Sequence, residues 1–234
     1  MRPVKSPVCP ARNAIAFARP RGNGTTLDQQ GLTSTGTGTA TGANVAQTNI
    51  HTEMKRITYL AASSATAVSG WRSAADQFSI GGAAAGRGGF HLLMRWGPAT
   101  AVNLTTHRAF AGMRVNAAPS DVEPSSLTNI VGMGWDAADT NIQFMHNDGS
   151  GTATKIDLGS RFPVPTVNAT DAYEVALFSP PGTTQSLTYL VTNLSDGSTA
   201  TGTLTSDIPT SSTLLAPAMY FSVGGTTSSI SLAL

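Results

Sequence analysis

This sequence predicts an all-β protein, an antiparallel two-sheet sandwich, and three observations predict it. From Ile57 onward, bulky apolar residues alternate with polar or small ones in short runs, the period of a half-buried strand. Turn-forming Gly, Asn, Asp and Pro clusters separate the runs at spacings of roughly 8–12 residues. Charged residues make up only 12% of the chain, and the helix formers Lys (Lys5, Lys55, Lys155) and Glu (Glu53, Glu123, Glu174) are scarce. Hydrophobic residues make up 40% of the 234 positions, which is enough for a core and unlike a disordered chain. That length suits one large sandwich.

The first segment differs in kind. Pro3, Pro7, Pro10 and Pro20 deny helix and central strand alike. The tract GLTSTGTGTATGANVAQTN (31–49) then lacks bulky apolar side chains and cannot offset its own ordering entropy. Residues 1–53 are therefore expected to form an extended, low-complexity arm before a sandwich domain spanning 54–234. Arg2, Lys5, Arg12, Arg19 and Arg21 all precede the first acid, Asp28. They suit a solvated arm or one docking on an acidic surface. Their wide spacing, with Phe17 as the sole aromatic among them, argues against nucleic acid. The lone Cys9, set between prolines, excludes an internal disulfide and any multi-cysteine zinc site. The apolar stretch Ala14–Ala18 is too short for a secretory signal, and no run has the length to insert in a membrane.

In the sandwich, Phe90, Leu92, Met94 and Trp96 share one parity, and His91, Leu93 and Arg95 the other. Val131, Met133 and Trp135 point inward, with Gly132 and Gly134 outward. Ile142, Phe144 and His146 alternate with Gln143, Met145 and Asn147. Asn147-Asp148-Gly149-Ser150-Gly151 then turns the chain into a return strand with Ile156 and Leu158. Tyr173, Val175 and Leu177 alternate with Glu174, Ala176 and Phe178, a strand expected to be buried on both faces. Ser195-Asp196-Gly197 joins QSLTYLVTNL to STATGTLT as a second hairpin. In TLLAPAMYFSV, Pro217 suggests an edge or a bulge. One helical turn is expected near Pro124–Leu127.

From about Met54, the segments MKRITYLAASSATAVSGWR, GRGGFHLLMRWG, RAFAGMRV, YEVALFSPPG and TLLAPAMYFSVGG, and above all GMGWDAADTNIQFMHNDGSGTATKIDLG, give the chain a family likeness. It resembles bacteriophage tail-fibre and virion structural proteins, a likeness that implies a jelly-roll or concanavalin-like sandwich. The likeness covers most of residues 54–234 and none of 1–50. It implies a homo-oligomer, often a trimer, assembled in the host cytoplasm onto a virion. Residues 1–50 would contact other virion proteins, and the sandwich would face the host-cell surface and its glycans. Head-fibre or decoration protein are the alternative positions. A carbohydrate-binding receptor module, or a glycan hydrolase of concanavalin-like type, is the alternative function.

Candidate chemistry is thin. A sandwich glycosidase needs two carboxylates roughly 5–9.5 Å apart. Glu174 is the only Glu within a strong strand, with no acid two or four positions away, so it reads as a rim residue or an arginine partner. Asp136, Asp139, Asn141, His146 and Asp148 lie close in sequence and could hold calcium, or simply cap turns. His51, His91, His107 and His146 stand in unrelated contexts, and no G-x-S-x-G elbow exists. GGAAAGRGGF lacks the Lys-Ser/Thr ending of a phosphate loop, so its glycines are expected to permit close backbone approach. Trp96 and Trp135 have core parity. Trp71 lies outside a clear strand and is either packed, at a subunit contact, or a sugar-stacking platform. No catalytic, cofactor-binding or metal-ligating residue is assigned, no cofactor is expected, and the protein is expected not to be an enzyme.

Overall fold

A computed structural model of the chain describes residues 17–21, 24–99, 106–166, 170–224 and 231–233. Its strands run β1 (Phe17–Pro20), β2 (Leu27–Gln30), β3 (Ser34–Thr37) and β4 (Thr39–Ala43), followed by a single-turn helix α1 (Ile50–Glu53). Next come β5 (Arg56–Leu60), β6 (Val68–Ser73), β7 (Phe90–Trp96), β8 (Arg108–Arg114), β9 (Ile130–Trp135), β10 (Gln143–Asn147) and β11 (Thr154–Asp157). The series closes with β12 (Tyr173–Ser179), β13 (Leu187–Asn193), β14 (Thr199–Leu204), β15 (Ala216–Ser222) and β16 (Ser231–Ala233). A 3-10 turn occupies Pro124–Ser126, where the helical turn was expected.

Two antiparallel sheets form the sandwich. One has seven strands in the order β11-β10-β9-β8-β15-β6-β3, and the other has four in the order β14-β13-β12-β7. The parity read from the sequence aims the two inner faces at each other. Trp96 of the smaller sheet stacks on Trp135 of the larger, with ring centroids 5.3 Å apart and planes 16° from parallel. Nearby, Phe144 and Tyr189 stack across the same gap at 3.8 Å. Around these rings pack Met94, Met133, Tyr173, Val175, Leu177, Val191 and Phe221, all buried. Trp135 also donates its indole N–H to the His107 carbonyl at 2.8 Å, so burying it strands no polar group.

The larger sheet is covered on its other face too. Phe110, Ile130, Met145 and Tyr220 pack there against Ala153 and Leu127. The turn at Pro124–Ser126 closes over them, held where Ala153 N–H donates to the Ser125 carbonyl at 2.7 Å. Gly112 and Gly132 sit directly opposite each other beneath this layer. A Cβ at Gly132 would meet the Phe110 ring at 2.9 Å, which explains why this outward position carries no side chain.

Three expectations need correction. β12 is buried on one face only: Tyr173, Val175 and Leu177 face the core while Phe178 is 49% exposed, since an antiparallel sheet of this kind keeps one wet face. Pro217 lies in a central strand, not at an edge or a bulge. It faces Met113 of β8 just before the β6 ladder begins at Ala218, so its missing N–H costs no bond on that side. Finally, the tract expected to be an arm contributes to the sheets. β3 pairs with β6 and completes the seven-stranded sheet, and β4 pairs with β5 in a three-stranded sheet ordered β16-β5-β4. Its threonines and glycines need little apolar surface of their own because neighbouring strands supply it.

Candidate functional site

β3 and β4 border an open concavity on the surface. The hairpin of β1 and β2, closed where Arg21 N–H donates to the Thr26 carbonyl at 2.8 Å, stands beside β3 and β5. Between them lies an open depression of about 380 Å³ lined by Thr25, Thr26, Leu27, Gln29, Ser34, Gly36, Gly38, Ala40 and Tyr59. Tyr59 lies flat against Gly36, where a Cβ would come 2.5 Å from its ring. Gly38 turns the chain with φ +89°, and a side chain there would run into the Leu60 carbonyl at 2.6 Å. Burial pushes the Tyr59 hydroxyl up to about 12, so it stays a neutral hydrogen-bond donor.

The chemistry of this lining is uniform. It offers hydroxyls from Thr25, Thr26 and Ser34, the Gln29 amide and one aromatic ring, with no carboxylate, amine, imidazole or thiol. Such a set can hydrogen-bond a neutral, hydroxylated ligand, with Tyr59, only 4% exposed, as the floor beneath it and not a stacking face. It holds no group for proton transfer or nucleophilic attack near neutral pH.

The residues singled out from the sequence lie elsewhere and apart. Glu174 pairs with Arg95 at 2.6 Å on the outer face of the four-stranded sheet, which makes it an arginine partner and not a rim residue. His91 packs edge-on against Phe178 on that face, and His107 sits beside Phe221 in the core. His146 Nδ1 lies 2.7 Å from the Asp207 carbonyl, while His51 is buried on α1. Trp71 belongs to β6 and is 3% exposed, so it packs in the core and offers no stacking platform. Cys9 and the other residues of 1–16 lie outside the described residues. The glycines of GGAAAGRGGF allow close approach, as expected, but within the chain. A Cβ on Gly89 would sit 2.6 Å from Pro181 N, and Gly82 N–H donates to the Gly182 carbonyl at 2.8 Å.

The acidic cluster is divided among local partners. Lys155 Nζ lies 3.0 Å from Asp136 and 2.5 Å from Asp139, an ammonium bridging the two carboxylates. Partial burial pulls its pKa down, but the bonds to Asp139 and Asp136 outweigh that and hold it above the usual lysine value. Asp136 also accepts Ser125 N–H, Asn141 binds Asp157, and Asp148 accepts from Ser150. No group of three potential metal ligands occurs among the described residues. Calcium is expected to leave the melting temperature unchanged. Lys155→Met, which leaves the two acids facing each other, should destabilise by about 2 kcal/mol in urea titration. A calcium-induced rise in melting temperature of the native chain would contradict this assignment.

Tyr59, Gly36 and the hydroxyls around them carry no local signal in the sequence. They meet through pairing of β3 with β6 and of β4 with β5, contacts distant along the chain.

No family model matches the sequence, and no curated protein matches it. Solved structures are similar in fold. Lectin UEA-II complexed with galactose aligns with a TM-score of 0.54 and 15% identity, covering 94% of this chain and 95% of that one. Winged bean acidic lectin complexed with methyl-α-D-galactose gives 0.53 and 10%, again over 94% and 95%. A protein of unknown function from Shewanella oneidensis MR-1 gives 0.52 and 11%, over 86% and 76%. The chain therefore has a lectin-like, concanavalin-type sandwich fold, and identities this low carry the likeness no further.

Proposed function

We propose that the chain is a non-catalytic carbohydrate-binding module whose ligand sits in the depression walled by Thr25, Thr26, Gln29, Ser34 and Tyr59. The observation that carries this reading is the lining itself: neutral hydroxyl and amide groups around one aromatic ring, with no ionisable group able to do chemistry near pH 7. The likeness in fold to two lectins whose structures contain a galactose or galactoside supports it. A glycan array followed by calorimetry with D-galactose tests it. Binding in the millimolar range, near 4 kcal/mol, is what a small open site of this kind should give. Gly36→Val, which drives a side chain into Tyr59, and Gln29→Ala should each weaken it about tenfold. An array without hits, or affinity untouched by both changes, would overturn the proposal.

The resemblance of residues 132–159 to phage tail-fibre domains supports a compatible placement, in which the module is displayed on a virion and serves host attachment. Under that placement the outermost residues are the anchor. Because β3 and β4 complete the sheets, removing residues 1–50 would expose β5 and β6. Removing residues 1–16 is the informative deletion. It should leave the melting temperature unchanged while abolishing incorporation into particles, and normal incorporation would count against the placement.

A further inference from the structure

The outer edge of the four-stranded sheet is built to pair with itself. β14 is bonded to β13 on one side, with Thr199 facing Thr192 and Leu204 facing Leu187, and among the described residues has no strand on the other. In an antiparallel ladder, alternate residues aim both N–H and C=O away from the partner, so this edge offers a row of free backbone groups. Two of the four edges of the sandwich sheets are guarded. β7 carries His91 and Arg95, and β11 carries Lys155 and Asp157. β14 reads Thr-Ala-Thr-Gly-Thr-Leu and contains no charge, no proline and no lysine.

The order of its residues identifies the occupant. Thr199, Thr201 and Thr203 face solvent, while Ala200, Gly202 and Leu204 lean inward, with Gly202 beneath the Tyr189 ring. Read backwards, Thr199–Thr203 has the same alternation. A second copy approaching antiparallel about a twofold axis normal to the sheet therefore sets threonine opposite threonine and small residue opposite small residue. The structure already contains one such rung: the Thr188 and Thr203 hydroxyls lie 3.0 Å apart. β3, β4 and β16 are also uncharged edges, but they are shorter. Pairing β4 (Thr-Ala-Thr-Gly-Ala) with itself about Thr41 would set Thr39 against Ala43.

We infer that two copies of this chain associate through β14, joining their four-stranded sheets into one eight-stranded sheet. The neutral strand and a net charge of only +1 impose little repulsion on the approach. A single paired edge buries well below the roughly 1,200 Å² of lasting complexes, so the dimer is weak and reversible. An edge pair closes on itself, which predicts two copies and not the three common in fibres. If the glycan reading also holds, dimerisation presents two depressions and adds avidity. The dimer itself does not depend on that reading.

Sedimentation equilibrium of the full chain from low micromolar to near-millimolar concentration tests it. The native chain should show a concentration-dependent monomer–dimer equilibrium. Thr201→Lys and, separately, Thr201→Glu should weaken it at least tenfold without lowering the melting temperature, and an equimolar mixture of the two should recover association. Thr199→Lys serves the same purpose should either change disturb folding. Thr41→Lys on β4 should leave the dimer intact. A native chain that stays monomeric at the highest concentration, a trimer mass, or a dimer removed by Thr41→Lys but kept by Thr201→Lys would overturn the inference.

Discussion

Trp135→Ala is expected to destabilise the protein by about 4 kcal/mol, within the range for removing a buried tryptophan. Few side chains here are so fully engaged. The ring is 0% exposed, stacks on Trp96 at 5.3 Å, meets Phe221 edge-on at 5.5 Å, and satisfies the His107 carbonyl. Its loss opens a cavity between the two sheets and removes the indole N–H that this carbonyl accepts. For a domain of this size the change corresponds to a fall in melting temperature of about 8–16 °C. Urea titration should show a lower midpoint at an unchanged slope. Trp135→Phe, which keeps the stack but not the N–H, should lose about half as much. A cost below about 1 kcal/mol for the alanine variant would mean that the two sheets do not meet at this residue.

Acid should weaken the fold through His51 before the carboxylates titrate. Among the described residues neither ring nitrogen of this histidine has a hydrogen-bond partner, and the residue is 2% exposed beside Gly97. Burial, reinforced by the neighbouring Arg56 guanidinium, pulls its pKa from 6.5 down to about 4. Arg56 is held there because it donates to the His51, Thr52 and Met54 carbonyls at the end of α1. The folded value lies below the unfolded one, so the contribution is complete above pH 6.5 and is lost as the pH falls towards 4. The full difference corresponds to at most about 3 kcal/mol, and screening by nearby solvent reduces it to about 2. His51→Leu should flatten the stability profile across this window. Identical profiles for the two proteins in urea titrations between those limits would show that His51 is not buried in its neutral form.

Strand character was legible residue by residue. The inward parity of Phe90, Met94, Trp96, Val131, Met133 and Trp135 is as expected, and so are the hairpins at Asn147–Gly151 and Ser195–Gly197. These signals are local, set by the two-residue period of a strand and the positive φ of glycine at Gly149, Gly151 and Gly197. Burial of the outer face of the larger sheet was less legible, because its cover comes from the loop around Pro124–Ser126 and not from the strands themselves. The cationic partner of the acidic cluster was hidden for a similar reason. Its ammonium, Lys155, arrives from β11 on the far side of a hairpin.

By itself, then, the amino-acid order determined that this protein is antiparallel β, where most strands turn, and which side of each faces oil. Tertiary structure alone decided that the Thr/Gly tract of residues 34–43 belongs to the sheets, that Trp71 is core, and that Tyr59 lies over Gly36 to shape a depression. Alternation along a strand is a property of neighbours, whereas strand partnership is a contest among all free edges of the chain. A glycine-rich strand without bulky side chains carries almost no mark of which edge it will join.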